Sequence, residues 1–447
     1  MTIEYLTGDA LTTIRTLPDD SVDLVATSPP FLALRNYNDV DGQWGSEATP
    51  ADFLDNLLTL AVECRRVLAP HGSLAWELGD TYSGKSGWGD DNGNSRYPNG
   101  RGVTSNAEKP NASGPGWPLS KSLTGVPTLF AWSLAYGRNL VDPSIGAERV
   151  EWICRLARLG ISAPSADWLT RAIPIKPVFE PWRIRNVIVW ARNNPPVGAL
   201  GDKVRPATSY ITVACPSGRR WFDLDAVRTE PFAGWRLRTA TEGLKGPNND
   251  RGDKGISNLG VHPGGAPPVD HWHDEYDGDL TWLINSAGSS LAHYAMWPAK
   301  LAERLILSMC PAEVCRECSE PRRRITDRSY VPDHSGGGAT TRRDATEPEG
   351  NNRGINGGPR MAVVSRTLGW SDCGHNNWRP GHVLDPFAGT GTTLAVADIH
   401  GRDATGIDLD PDNAQLLPER YAEVWRNLKP TAGLSPVTAH GHQQTLI

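Results

Sequence analysis

The sequence predicts an α/β chain built on a doubly wound, Rossmann-like sheet, and three observations predict it. Ser21-Val-Asp-Leu-Val-Ala-Thr27 is a β-branched, apolar run that stops at a proline pair, as a strand ending in a rigid loop does. Phe53 to Leu68 carries apolar residues at helical spacing. His382 to Asp410 reads as strand, glycine turn, helix and strand.

The other elements follow in order. Pro70-His71-Gly72 ends the first long helix before a second strand, Ser73 to Leu78. From Ser83 to Trp117 the chain is rich in glycine, asparagine, serine and proline and is expected to form a mobile surface loop. Helical patterning returns at Lys121 to Tyr136 and Glu151 to Leu159, followed by strand-like Arg185–Trp190 and Tyr210–Ala214. Residues 239 to 290 are turn-rich and hold His271-Trp-His273, read as a surface pair. Ala299 to Met309 is an amphipathic helix, Cys310 to Trp378 a loop-rich segment, and Pro418 to Leu428 a closing helix before an unstructured tail.

Composition bounds the function. At 447 residues, 38% hydrophobic and 21% charged, the chain supports at least one large core, which excludes a peptide hormone or a wholly disordered protein. A net charge of −6 argues against a passive nucleic-acid coat. No run approaches the roughly 18 apolar residues of a membrane span, and the N-terminus lacks the basic and apolar regions of a signal peptide.

Two loops carry the chemistry. Val383-Leu-Asp385-Pro-Phe387-Ala-Gly389-Thr-Gly391-Thr392-Thr393 is a strand running into a glycine turn and a helix. Glycines 389 and 391 let a ligand approach the backbone, and the helix start offers free N–H groups to it. No lysine follows the second glycine, so this is not a triphosphate-gripping P-loop. Ala404-Thr-Gly-Ile-Asp408 is a further strand ending in an acid, where Rossmann-like units place a carboxylate on ribose hydroxyls. The second loop, Ser28-Pro29-Pro30-Phe31, combines a stiff backbone, a hydroxyl, a proline carbonyl and an aromatic face, a set suited to holding a flat heteroaromatic amine.

Together the two loops resemble the paired motifs of the S-adenosylmethionine-dependent DNA amino-methyltransferases. The SPPF loop comes about 350 residues before the glycine loop, an order that resembles the permuted β class. Gly8 to Leu24, Lys121 to Pro127, Ile184 to Trp190, Trp221 to Arg228 and His293 to Pro298 are similar to that class's other blocks. The resemblance implies methyl transfer to cytosine N4 or adenine N6 of a base flipped out of double-stranded DNA, with cytosine slightly favoured. It implies that Ser28, Pro29, Pro30 and Phe31 hold the amine. Asp385, Phe387, Gly389, Gly391 and Thr392 would line the cofactor's methionine end, Asp408 its ribose and Asp9 its adenine.

The expected organisation is a catalytic half over 1–228 with the insert 83–117, a target-recognition region over 229–292, and a cofactor-side helix over 293–309. A zinc-binding insert over 310–378, a cofactor half over 379–430 and a tail over 431–447 complete it. The insert at 138–182 has no assigned role. Expected partners are duplex DNA and a restriction endonuclease on a separate chain, with no membrane, for a monomer or homodimer in the cytoplasm of a bacterial cell or of a phage host. The alternatives are an RNA or protein amino-methyltransferase and a catalytically silent zinc-bearing DNA-binding protein.

Cys315-x-x-Cys318 and Cys373-x-His375 form two knuckle-like pairs suited to structural zinc, with Cys310 able to replace a ligand. Cys64, Cys154 and Cys215 read as core. Residues 183 to 238 hold ten Lys/Arg against four Asp/Glu, a basic band expected to meet DNA phosphates.

Overall fold

The computed structural model describes residues 1–34, 42–84, 112–142, 145, 177–191, 206–227, 271–272, 297–332 and 361–428. Its strands are β1 Ile3–Thr7, β2 Val22–Thr27, β3 Leu68–Leu78, β4 Arg183–Ala191, β5 Thr208–Cys215, β6 His271–Trp272, β7 Glu313–Cys315, β8 Arg324–Pro332, β9 Met361–Trp370, β10 Trp378–Pro380, β11 His382–Asp385 and β12 Asp403–Asp408. The helices are α1 Ala10–Ile14, α2 Pro50–Val67, α3 Val126–Tyr136, α4 Ala299–Met309, α5 Thr392–Ile399, α6 Pro411–Gln415 and α7 Leu417–Leu428. Among the described residues, no helix is long and apolar enough to cross a membrane.

Eight strands form one sheet in the order β1-β12-β11-β2-β3-β5-β4-β6. The first five run parallel, and β5 joins β3 antiparallel. Alternate side chains of a strand point to opposite faces, and both faces are covered. Leu24, Ala26, Val213, Val383 and Ala404 pack with α4 and α5, whereas Val25, Leu74, Trp76, Leu384 and Ile407 pack with α1, α2 and α3. This is the doubly wound, Rossmann-like architecture that the sequence predicts.

Helix α2 shows how local signals fix an element. Thr49 caps it by accepting from the Asp52 amide, Pro50 begins it, and Arg65 and Arg66 sit in its last turn, each suited to its end of the helix dipole. Phe53, Leu54, Leu57, Ala61 and Cys64 line its buried face. Each large apolar side chain among them contributes about 1.5–3 kcal/mol.

Three expected boundaries shift. The helix expected from Lys121 begins at Val126, because Gly125 takes a left-handed φ of 73° and the five residues before it form a loop. Strand β3 starts at Leu68 rather than Ser73, with its pairing to β2 irregular near Val22. The segment 310–378 is less irregular than expected: β7 pairs with β10, and β8 with β9, in two small antiparallel sheets. His271 and Trp272 add an edge strand beside β4. The helix expected at 151–159, most of the insert at 83–117, almost all of the region 229–292, His273, Cys154, His293 and the tail lie outside the described residues.

Candidate active site

The parallel strands all end on one side of the sheet, where ligands bind in such folds. Thr27, Asp385 and Asp408 end β2, β11 and β12, and Leu78 ends β3. The SPPF and glycine loops therefore leave neighbouring strands, although about 350 residues separate them in sequence.

Asp385 ties the two loops together. Its Oδ1 accepts from the Thr27 hydroxyl at 2.6 Å and from the Phe387 amide at 3.1 Å, and its Oδ2 accepts from the Thr393 hydroxyl at 2.6 Å. Burial pushes this carboxyl up to about 6, although the two hydroxyls oppose the shift. The sequence reading aims Asp385 at a bound cofactor; in the structure both of its oxygens are engaged by the protein and bridge the two loops. Thr392 is likewise buried, accepting from Arg420 Nε at 2.9 Å.

The glycine loop is fastened on its other side to Asp408. The Gly389 amide donates to Asp408 Oδ2 at 2.8 Å, while Oδ1 accepts from the Asp410 amide and Asn413 Nδ2. The Tyr5 hydroxyl donates to the Gly389 carbonyl at 2.6 Å; burial, reinforced by nearby Asp408 and Asp385, pushes its phenol well up. Gly391 has φ 84° and begins α5 with no side-chain cap, so no side chain of the helix competes for its first amides. A Cβ at Gly391 would lie 2.2 Å from Leu417 Cδ1. Phe387 is half-buried, edge-on to Trp44 at 5.2 Å. Asp9 caps α1 by accepting from the Thr12 amide, and the Gly8 amide donates to the Asp408 carbonyl, which keeps that turn beside the acid.

On the SPPF loop, Pro29 is buried and Ser28, Pro30 and Phe31 are half-buried. The Phe31 ring lies against Gly79, where an added Cβ would come 2.4 Å from Cε2. Gly45 backs the loop: its carbonyl accepts from the Ala33 amide at 2.8 Å, and a Cβ on it would meet the Phe31 carbonyl at 2.8 Å. Asp80 holds the next segment by accepting from the Thr124 hydroxyl and the Gly125 amide. Sequence reasoning missed Tyr5, Trp44, Gly79, Asp80 and Asn413. Only Gly79-Asp80 carried a signal, a small residue and an acid directly after a predicted strand.

The four expected metal ligands converge. Sγ of Cys315, Cys318 and Cys373 and a ring nitrogen of His375 lie within 4.8 Å of one another. The Glu317 amide donates to Cys315 Sγ at 3.4 Å. Burial raises the Cys315 thiol, but the Cys318 and Glu317 amides and the neighbouring thiols outweigh it and bring it down to about 6. Three sulfurs and one imidazole fit tetrahedral zinc. Cys310 is buried elsewhere, beside Gly381, and does not join the set.

This cluster sits at the opposite end of the sheet. Strand β10 runs directly into the start of β11, and Arg379 donates twice to Asp23, at 2.6 and 3.0 Å, near the start of β2. His71 Nε2 lies 2.8 Å from the same carboxylate, and the His382 amide donates to it. Burial raises Asp23, but His71 and Arg379 outweigh that and hold it below its ordinary value. The described arginines of the basic band are at this end too. Arg183 starts β4 opposite Cys215 at the end of β5, and Arg220 Nε reaches Ser73, whereas Leu78 pairs with Tyr210 at the catalytic end. These arginines lie away from the SPPF loop, because β5 runs antiparallel to β3 and carries its end away from it.

Known proteins add a family. A family model described as DNA methylase, for N6- and N4-specific enzymes, matches residues 22–315. The Type II methyltransferase M.Cfr9I of Citrobacter freundii is 27% identical over 51% of this chain and 59% of its own length. M.XycI of Xanthomonas campestris is 29% identical over 52% of this chain and 60% of its own, so the chain spans under two thirds of either relative. M.SmaI of Serratia marcescens is 20% identical over 93% of this chain and 90% of its own. Among solved structures, the cytosine-N4-specific PvuII DNA methyltransferase aligns over 96% of this chain and 93% of its own, with 13% identity and a TM-score of 0.42.

Proposed function

Because the chain belongs to the N6/N4 DNA methylase family, we propose that it transfers a methyl group from S-adenosylmethionine to an exocyclic amine of a base in duplex DNA. The observation that carries this reading is the Thr27–Asp385–Thr393 link, which holds an amine-binding loop and a glycine loop side by side.

When bound, S-adenosylmethionine supplies a methyl on a sulfonium, an already activated electrophile, so no covalent enzyme intermediate is needed. Glycines 389 and 391, which have no Cβ, leave room for the methionine end, Asp408 keeps an acceptor site on Oδ2 for a ribose hydroxyl, and the Asp9 turn lies beside it for the adenine. The slow partner is the amine, whose lone pair is delocalised into the base ring. The Ser28 hydroxyl and Pro29 carbonyl accept its two hydrogens and favour a pyramidal nitrogen, so that alignment and electrostatics carry the rate. Phe31 replaces part of the stacking lost when the base leaves the duplex. Gly79, which leaves room for that ring, and Asp385, which aligns the loops, act through these residues. The serine form of the loop favours cytosine N4.

We assign zinc to Cys315, Cys318, Cys373 and His375. With all four positions supplied by the protein and the cluster remote from Ser28, its role is to staple the 310–378 segment. A restriction endonuclease working with this protein in the cytoplasm would be a separate chain.

The test is incubation of the purified protein with methyl-labelled cofactor and DNA, RNA or protein, followed by digestion and identification of the product. N4-methylcytosine or N6-methyladenine in DNA is expected. Label confined to RNA or protein overturns the reading.

A further inference from the structure

The end of the sheet away from the proposed reaction carries a cluster of cations. Arg183 and Arg185 stand exposed on β4, and Arg219 is exposed on the turn after β5. Arg65, from the last turn of α2, and Arg183 both donate to the Pro216 carbonyl, at 3.3 and 2.8 Å. From the metal-binding segment, Arg323 Nη2 donates to the Arg219 carbonyl at 3.3 Å. Arg220 lies over the Phe222 ring at 4.5 Å, and that ring is 43% exposed.

Six guanidinium groups therefore gather around one turn. The acid paired with them among the described residues is Glu180, 3.7 Å from Arg65 and itself 74% exposed. Other arginines nearby are matched: Arg66 has Glu63 and Asp19, Arg322 has Glu313, and Arg324 has Asp223. Burial pushes Arg220 down to about 10, and its guanidinium donates to the Ser73 hydroxyl at 2.9 Å. Cations of like sign held together, with one exposed carboxylate among them, repel one another, so the cluster attracts an anion from solution.

We infer that this arginine cluster is a second DNA-contact surface, which grips phosphates of a duplex segment other than the one presented to the SPPF loop. The inference rests on the proposed DNA substrate. Planar guanidinium forks match phosphate oxygens, and an exposed aromatic ring among them adds apolar contact with no sequence preference. From Ser73 to Leu78 the strand rises roughly 17 Å, at about 3.4 Å per residue. A short fragment seated over the catalytic loops leaves the cluster free, whereas a long duplex bound at one end is held at high effective concentration for the other. The contact thus favours long DNA and retention on it, without affecting which base is modified.

The experiment compares wild-type protein, Arg185→Glu/Arg219→Glu and Arg185→Lys/Arg219→Lys. Among the described residues, neither side chain makes a hydrogen bond that the fold needs. Binding is measured against salt for mixed-sequence duplex of about 20 bp and of about 300 bp, with methylation of both as a second readout. The Glu pair is expected to bind the long duplex about tenfold more weakly. The slope of log affinity against log salt should fall by about 2, since each lost phosphate contact removes about 0.9. The Lys pair is expected to restore both, and methylation of the short duplex to stay at the wild-type rate in all three, which also reports correct folding. An unchanged salt slope on long DNA overturns the inference. So does a Glu pair that keeps long-DNA binding but loses binding to poly-glutamate, which would assign the cluster to an acidic protein. Failure of the wild type to label DNA of either length would refute the proposed function instead, and the binding slopes would still judge the cluster.

Discussion

At the scale of single residues, Asp385 connects fold and reaction. Between the ordinary carboxylate value of 3.8 and about 6, the folded chain holds a proton that the unfolded chain has released. Stability from this group is therefore full below 3.8, falls as pH rises through that window, and levels off above 6, a loss of about 3 kcal/mol. Asp385→Asn removes this titration, so urea unfolding between pH 4 and 7 should show a shallower fall than wild type. Equal slopes would mean that the carboxyl is not protonated in the fold. The same substitution replaces one of the two acceptor oxygens by a donor, so that Thr27 or Thr393 loses its acceptor, and should weaken cofactor binding. Gly79 offers a second residue-scale expectation. Gly79→Ala places a methyl 2.4 Å from the Phe31 ring and must displace it, lowering methyl transfer about a hundredfold while cofactor binding persists. Ser28→Ala should show the same split. Gly218→Ala, which meets nothing within 4 Å, should change neither. Parallel loss of cofactor binding in folded Gly79→Ala would contradict the division between the two loops.

At the scale of elements, the metal-binding segment shows what a pattern of ligands specifies and what it leaves open. The spacing of Cys315, Cys318, Cys373 and His375 was legible, because two short pairs are local and chemically unmistakable. Its strands were not. β8 is mostly polar, and the apolar residues of β9 come as a run, Met361 to Val364, rather than in sustained alternation, so neither segment carries the alternating signal of a half-buried strand. Nor could the sequence indicate that Trp221 and Arg379 fasten this segment to the main sheet, through the Arg322 carbonyl and Asp23. Zinc measured by mass spectrometry should be stoichiometric in wild type and absent in Cys318→Ser. A chelator should lower the thermal midpoint of the wild type toward that of the variant and leave the variant unmoved. Cys310→Ser, altered outside the cluster, should keep its metal; loss of metal there would mean that the ligand set is misassigned.

For the whole molecule, the sequence revealed the chemistry of the two loops and the class of the sheet. The neighbours of each strand were harder to read, because nothing local in Val22–Thr27 announces that its partner lies at 382–385. The resemblance supplied that adjacency, and the hydrogen bonds through Asp385 give it a physical form. Which end of the sheet the described arginines of the basic band occupy was hard to read for a related reason: counting charge along the chain does not reveal that β5 reverses direction. If adjacency rather than chain order is what matters, a permuted gene opened within 335–359, with residue 428 linked to residue 1, should fold and yield the same methylated base. An insoluble or inactive product would show that the order itself is required. Strand β2 has one further consequence, in time. Its neighbour β11 is made about 350 residues later, which at about 5–20 residues per second is on the order of 20–70 s. Throughout that interval the centre of the sheet has one open edge and the two loops cannot meet. The nascent chain is thus obliged to remain chemically silent until its last hundred residues arrive, with β3 covering only the other edge of β2 while it waits.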